Sequence, residues 1–245
     1  MNLTQNTILI TGGGSGIGLA LTERLHAAGN TVLICGRDAA KLQAAAERLP
    51  GLRTLVCDVA QATERQRLLE WVTTEAPQLN VLLNNAGIQR QVSVFETDEP
   101  WADTASEIAI NLEAPVHLTM LCLKYWHAQR HSGPVVINVS SGLGFVPLAR
   151  VPVYSATKAA IHSFTQSLRQ QLAGSPVQVI EVIPPAVHTE LGGTDHSFGV
   201  PLSEYADDVM QQLAAGHPEI TYGFSAKASQ ASRPELDDMF SQLNG

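Results

Sequence analysis

Residues 7–18 constrain the fold more than any other stretch of the chain. Thr7-Ile8-Leu9-Ile10-Thr11 is a short, β-branched, apolar run that leads directly into Gly12-Gly13-Gly14-Ser15-Gly16-Ile17-Gly18. Such a run fits a strand buried on both faces of a parallel sheet. A helical apolar spacing follows from Leu19 to Ala28. Strand, glycine turn and helix in that order form a cradle for a dinucleotide, because glycines let the backbone approach a pyrophosphate and the helix N-terminus favours its charge. Gly12, Gly16 and Gly18 give G-x-x-x-G-x-G rather than G-x-G-x-x-G. A glycine-rich turn that holds no ligand is the plain alternative.

The pattern after the cradle repeats strand and helix in turn. Strands are predicted at 7–11, 31–35, 52–57, 80–84, 134–140 and 177–183, and helices near 17–29, 39–48, 61–76, 100–130 and 152–173. This alternation predicts a doubly wound α/β fold, a parallel sheet flanked by helices on both faces. Its ligand crevice should lie at the carboxyl ends of the strands, where the strand order reverses. Asn84-Asn85-Ala86-Gly87, Ser140-Ser141-Gly142 and Pro184 to Thr189 all fall at such ends. No linker or repeat divides the 245 residues, so one domain is expected.

Composition removes several function classes. A net charge of −8, with lysines and arginines scattered, argues against nucleic acid or an anionic membrane as partner. Cys35, Cys57 and Cys122 lack metal-ligand spacing and read as reduced core thiols; no metal is expected. No basic, apolar leader opens the chain and no run reaches membrane-spanning length, which predicts a cytoplasmic protein.

Tyr154-Ser155-Ala156-Thr157-Lys158 sets a phenol and an ammonium one helical turn apart. A cation beside a tyrosine favours the phenolate, lowers its pKa and makes it a usable proton-transfer group. A solvated helix edge would show the same spacing.

Together these motifs resemble the short-chain dehydrogenase/reductase family over about residues 5–192. They stand here as Thr11-Gly12-x-x-x-Gly16-x-Gly18, Asp58-Val59, Asn84-Asn85-Ala86-Gly87, Asn111, Ser141 and Tyr154-x-x-x-Lys158. Within the family the chain looks most like the DltE-type oxidoreductases, in Leu33 to Arg37, Asn111 to Leu118 and Pro184-Pro185-x-Val187-x-Thr189. The resemblance implies a Rossmann-like domain with a cofactor-binding part over about 5–140 and a catalytic and substrate part over about 141–245. It also implies interconversion of a small carbonyl and an alcohol, with Tyr154 passing the proton, Ser141 orienting the substrate oxygen, Lys158 holding the nicotinamide ribose and Asn111 binding a relay water. A structural Asn that breaks the 100–130 helix is the competing reading of Asn111. Strand alternation sends Ser140 and Ser141 to opposite faces, so only one reaches the site.

The resemblance extends to the cofactor. Gly12, Gly14, Ser15, Gly16, Ile17 and Gly18 would hold the pyrophosphate, Asp58 and Val59 the adenine, and Asn85, Ala86 and Gly87 the ribose and pyrophosphate. Val187 and Thr189 would hold the carboxamide, although Pro185 stands where the family more usually has glycine. Gly36 occupies the family's acidic ribose-binding position and Arg37 follows, able to pair with a 2′-phosphate; this favours NADP(H), with NAD(H) the alternative. Asp38 fits a helix N-cap better than a ribose ligand. Ser15 stands where many NADP-dependent relatives carry a basic residue.

Gln89, Leu143, Phe145, Leu191 and Phe198 are expected to shape a mostly apolar substrate pocket, with His188 at its edge and Arg90 and Arg150 on nearby loops. Residues 190–202 read as a flap or an ordinary loop, and the tail after about 216 as a short strand, a polar segment and a helix at 234–243. A homodimer or homotetramer is implied. A nucleotide-binding regulatory or scaffold protein without turnover is the other class of function, which the intact Ser141, Tyr154 and Lys158 set disfavours.

Overall fold

Apolar, β-branched segments buried on both sides build the sheet of the computed structural model, which describes residues 1–95, 100–131, 133–193 and 199–245. The strands are β1 Thr7–Thr11, β2 Thr31–Gly36, β3 Arg53–Val56, β4 Val81–Asn84, β5 Val135–Val139, β6 Gln178–Ile183 and β7 Glu219–Thr221. All pairings are parallel and the order is β3-β2-β1-β4-β5-β6-β7. The order reverses between β1 and β4, which puts a crevice at their carboxyl ends. Every residue of β4 and β5 is buried, as two-sided coverage requires.

One face of the sheet packs on α1 Gly16–Ala27, α2 Ala39–Arg48 and α7 Leu202–Ala215 through Leu21, Leu25, Leu42, Tyr205, Val209 and Leu213. The other packs on α3 Ala62–Glu75, α5 Ala114–Gln129 and α6 Pro152–Gln171 through Leu68, Val72, Leu118, Trp126 and Leu168. The doubly wound expectation holds, and the predicted strands recur with small changes at their ends. Cys35, Cys57 and Cys122 are buried and unbridged.

Two helical expectations need correction. The 100–130 helix is three pieces: α4 Trp101–Ile108, a π-helical turn over Ala109–Glu113, and α5. Pro115 has no amide hydrogen, so the Asn111 carbonyl loses its α-helical partner and the ladder widens there. The second correction is α7, which was not anticipated after the glycine-rich 190–202 loop. Phe198 and part of that loop lie outside the described residues. The tail forms β7 beside β6, then α8 Phe224–Ala228 and α9 Arg233–Asn244, so the expected polar segment is partly helical. Among the described residues no helix is long and apolar enough to cross a membrane.

Candidate active site

The turn after β1 is fastened to the loop after β4. Thr11 Oγ1 accepts from the amides of Asn85 and Ala86, each at 3.1 Å. Asn85 Nδ2 donates to the carbonyls of Thr11 and Gly12 at 3.0 and 3.2 Å. This closeness dictates the glycines: a β-carbon on Gly12, whose φ is +66°, would lie 2.9 Å from Ala86 Cα, and one on Gly18 would lie 2.2 Å from the Gly12 carbonyl oxygen. Ser15 is the N-cap of α1, is exposed and caps nothing with its side chain. The first amides of α1, from Gly16 to Gly18, have no intrahelical acceptors and suit an anion. The loop after β6 closes a third side, where Thr189 Cγ2 lies 3.4 Å from the position a Gly16 β-carbon would take. A nicotinamide dinucleotide fits this arrangement, with its pyrophosphate in a cradle that side chains would fill.

The remaining expected cofactor residues follow the carboxyl ends of the strands. Arg37, just past β2, is exposed and pairs with no described residue. Asp38 is the N-cap of α2, accepting from Ala40 N at 2.9 Å and Lys41 N at 3.0 Å, as its position predicts. Beyond β3, Asp58 Oδ1 accepts from Ala60 N at 3.0 Å and Val59 is buried. Gly87 is flanked by catalytic candidates, since a β-carbon there would lie 3.4 Å from Asn111 Oδ1 and 3.6 Å from Lys158 Nζ. Val187 is bridged to Val200, and Thr189 Oγ1 accepts from Leu191 N at 3.3 Å.

Ser140 and Ser141 part company at the end of β5, as strand alternation requires. Ser140 Oγ points inward and donates to Glu181 Oε1 at 2.5 Å. Ser141 Oγ accepts from Leu143 N at 3.1 Å, at the start of a 3₁₀ turn over Gly142–Gly144. Tyr154 and Lys158 lie on the buried face of α6, 6% and 4% exposed, which excludes a solvated helix edge. Lys158 Nζ donates to the Val139 carbonyl at 2.9 Å and stands 5.5 Å from the centroid of the Tyr154 ring.

Burial governs the charges of this pair. It pushes the Tyr154 phenol up to about 12, with the neighbouring Ser141 hydroxyl pulling it down and Glu107 adding to the rise. It pulls the Lys158 ammonium down to about 8, against the attraction of Glu107 and Glu181. The expectation of a tyrosine lowered by its lysine is therefore corrected: loss of water outweighs the help available to a phenolate here.

Asn111 lies in the π-helical turn that interrupts the expected helix, with its side chain turned to the segment after β4. Its Oδ1 accepts from Ile88 N at 2.9 Å, while Nδ2 donates to Ile88 O at 2.8 Å and Thr157 Oγ1 at 3.3 Å. Among the pocket candidates, Gln89 reaches across to Gly192. Phe145 packs on the His162 ring with centroids 4.5 Å apart. Arg90 is turned to Asp103 at 3.4 Å, and Arg150 and His188 are exposed.

Sequence reasoning missed three supporting features. Glu107, on α4, is fully buried one turn before Asn111, a helical spacing that was open to view. His162 continues the i, i+4 series from Tyr154 and Lys158, and its Nδ1 lies 3.0 Å from Glu181 Oε2. The tail braces the site: Phe224 packs against Gly142, Ser225 Oγ bonds the Ile183 carbonyl, and Asn244 Oδ1 accepts from Ala149 N at 2.6 Å.

Comparison with known proteins agrees with this geometry. The family model for short chain dehydrogenase matches residues 6–197. The chain is 42% identical to the uncharacterized oxidoreductase DltE of Bacillus subtilis (strain 168), over 100% of this chain and 98% of that one. An uncharacterized oxidoreductase of Staphylococcus saprophyticus is 31% identical, over 79% of this chain and 83% of its own. Among solved structures, the fold is similar to a short chain dehydrogenase of Burkholderia cenocepacia in complex with NADP, with a TM-score of 0.84, 24% identity and 99% of each chain covered. It is also similar to one of Burkholderia phymatum in complex with NAD, with a TM-score of 0.83, 18% identity, and 100% of this chain and 97% of that one covered.

Proposed function

This chain belongs to the short-chain dehydrogenase family of oxidoreductases, and from that premise we propose that it is an NADP(H)-dependent reductase interconverting a small carbonyl compound and an alcohol. The observation that carries the reading is the meeting of Ser141, Tyr154 and Lys158, buried together at the end of β5, beside the glycine cradle. The cofactor, when bound, supplies the hydride.

The chain's own residues handle the proton and the position of the substrate. With its pKa near 12, Tyr154 holds its proton at neutral pH, the state that carbonyl reduction draws on as oxygen gains charge. Ser141 donates to the same substrate oxygen and fixes its direction. Lys158, a cation below about 8, steadies charge at the phenol and offers its donors to the nicotinamide ribose. Asn111 holds the Ile88 backbone in place and would bind the relay water beside Lys158.

Arg37 supports NADP(H) over NAD(H), because a guanidinium that pairs with no described residue follows Gly36, where an acidic ribose ligand would otherwise repel a 2′-phosphate. Adenine lies by Asp58 and Val59, the pyrophosphate by Gly12 to Gly18 and Asn85 to Gly87, and the carboxamide by Val187 and Thr189. We assign the adenine and pyrophosphate side of the cofactor to about residues 5–140, and the catalytic and substrate part, with the nicotinamide contacts of Lys158, Val187 and Thr189, to about 141–245. A cytoplasmic homodimer or homotetramer fits the chain: Ile108, Leu112, Val116 and Met120 recur every four residues along α4 and α5, with Met120 exposed, a ridge suited to a second copy. Calorimetric titration with NADPH and NADH tests the reading. Tighter binding of NADPH is expected, and failure of both cofactors to bind would overturn it.

A further inference from the structure

Glu181 is out of keeping with its strand. From Val179 to Ile183 the other residues of β6 are apolar and buried, and Glu181 among them has no exposure. A carboxylate there is costly unless it is both bonded and paired, and an apolar side chain would fill the position without that cost.

Its partners are specific. Oε1 accepts from Ser140 Oγ at 2.5 Å, while His162 Nδ1 lies 3.1 Å from Oε1 and 3.0 Å from Oε2. A carboxylate only accepts, which assigns the proton to Nδ1. The bond also favours the imidazolium against the effect of burial. Strand register explains the reach: Glu181 stands opposite Asn138, and Ser140, two residues further along β5, shares that face.

The contacts of His162 bracket Ser141. On the near side, Glu181 holds Ser140, which lies between Ser141 and Val139, the residue whose carbonyl accepts from Lys158 Nζ at 2.9 Å. On the far side, the turn that Ser141 Oγ opens by accepting from Leu143 N runs on to Phe145, whose ring packs on the imidazole with centroids 4.5 Å apart. His162 itself is one turn beyond Lys158 on α6. The backbone here has other supports, since Ser140 N bonds the Val182 carbonyl and Gly142 N the Pro184 carbonyl, each at 2.9 Å. Those bonds keep the strand in the sheet; the side-chain chain ties its end to the helix that carries Tyr154 and Lys158.

We propose that His162 and Glu181 are positioning residues that clamp the end of β5 through the Ser140 hydroxyl, and so set the Ser141 hydroxyl and the Val139 carbonyl against Lys158. The inference rests on the roles proposed above for Ser141 and Lys158, through which the clamp acts.

S140A, S140T, H162Q and the double variant S140A/H162Q test it, compared with the wild type for kcat and KM and for hydrogen exchange at the Gly142 and Gly144 amides. We expect kcat to fall about 10-fold in S140A and in H162Q, with KM for NADPH little changed, because orientation is lost and not binding. S140T keeps the hydroxyl and should stay near the wild type. The double variant should be no worse than the worse single one, since both break the same chain. A role in stability alone would leave the kcat of the folded enzyme unchanged. An unaltered kcat in S140A, a loss that S140T shares, or losses that multiply in the double variant would overturn the proposal. If H162Q fails to fold, S140A and S140T decide by the same criteria. Hydrogen exchange needs no substrate: the Gly142 and Gly144 amides should exchange about 10-fold faster in S140A and H162Q, with Ile8 to Ile10 in β1 unchanged. A wild type inactive toward carbonyls would defeat the proposed function and leave the clamp to be judged by exchange, where unchanged rates at both amides would overturn it.

Discussion

Lys158 Nζ stands 5.5 Å from the centroid of the Tyr154 ring, but its hydrogen bond is directed to the Val139 carbonyl at the end of β5. The ammonium is thereby tied to the strand that delivers Ser141, and one turn of α6 places the phenol beside the same strand end. Helix and strand together set the geometry, while burial sets the charges, holding Tyr154 protonated and making Lys158 easier to neutralise. On the function proposed here, a protonated Tyr154 suits donation of a proton.

Gly18 is fixed by its neighbours. A β-carbon there would lie 2.2 Å from the Gly12 carbonyl oxygen and 2.4 Å from Asn85 Nδ2, so Gly18→Ala must push the cradle apart from the loop after β4. We expect a loss of about 3 kcal/mol of stability by overpacking, read by denaturant unfolding, and loss of dinucleotide binding. Wild-type affinity in this variant would mean that the pyrophosphate does not lie there.

Arg37→Ala should discriminate between the two cofactors. Removing a charge-assisted bond to a 2′-phosphate costs roughly 1.5–3 kcal/mol, or about 10- to 150-fold in Kd for NADPH, with NADH little affected. Calorimetry of both cofactors checks this, and equal losses would show that Arg37 does not read the phosphate.

His162 supplies a pH-dependent part of stability. Its hydrogen bond to Glu181 raises its pKa against the opposing effect of burial, so the folded state holds the proton more tightly than the unfolded chain. The resulting stabilisation is complete below the unfolded value of about 6.5 and is lost as pH rises through the raised folded value. The Tm difference between wild type and His162→Gln should therefore be larger at pH 6 than at pH 9. A difference independent of pH would show that the imidazole stays neutral.

Local patterns made much of this legible. The strands of the sheet were readable because two-sided burial leaves unbroken apolar runs, and the glycine cradle because close backbone approach excludes side chains. The break at Asn111 needed one more step, since Pro115 four residues later removes the donor its carbonyl requires. In α7, Tyr205, Ala206, Val209 and Leu213 carry the helical spacing of a buried face, a pattern present in the sequence between the 190–202 segment and the tail for which no element was expected. Tyr154's raised pKa was not legible, because the i, i+4 spacing gives proximity to Lys158 and says nothing of how deeply both are buried. Glu107 and Glu181 were passed over for a related reason: an isolated acidic residue in a helix or strand is usually solvated, and only the packed fold shows these two to be inside.

The central claim is that Tyr154 gives the proton in an NADPH-dependent reduction. The most direct test follows NADPH consumption by the wild type and by Tyr154→Phe across a panel of aldehydes and ketones, with NADPH affinity measured for both. The account predicts turnover of at least one carbonyl by the wild type, a loss of roughly 100- to 10,000-fold in the variant, and similar NADPH affinity in the two. Undiminished turnover by Tyr154→Phe would contradict the mechanism. Tight NADPH binding by the wild type without turnover of any carbonyl would contradict the enzyme and favour a nucleotide-binding regulatory protein.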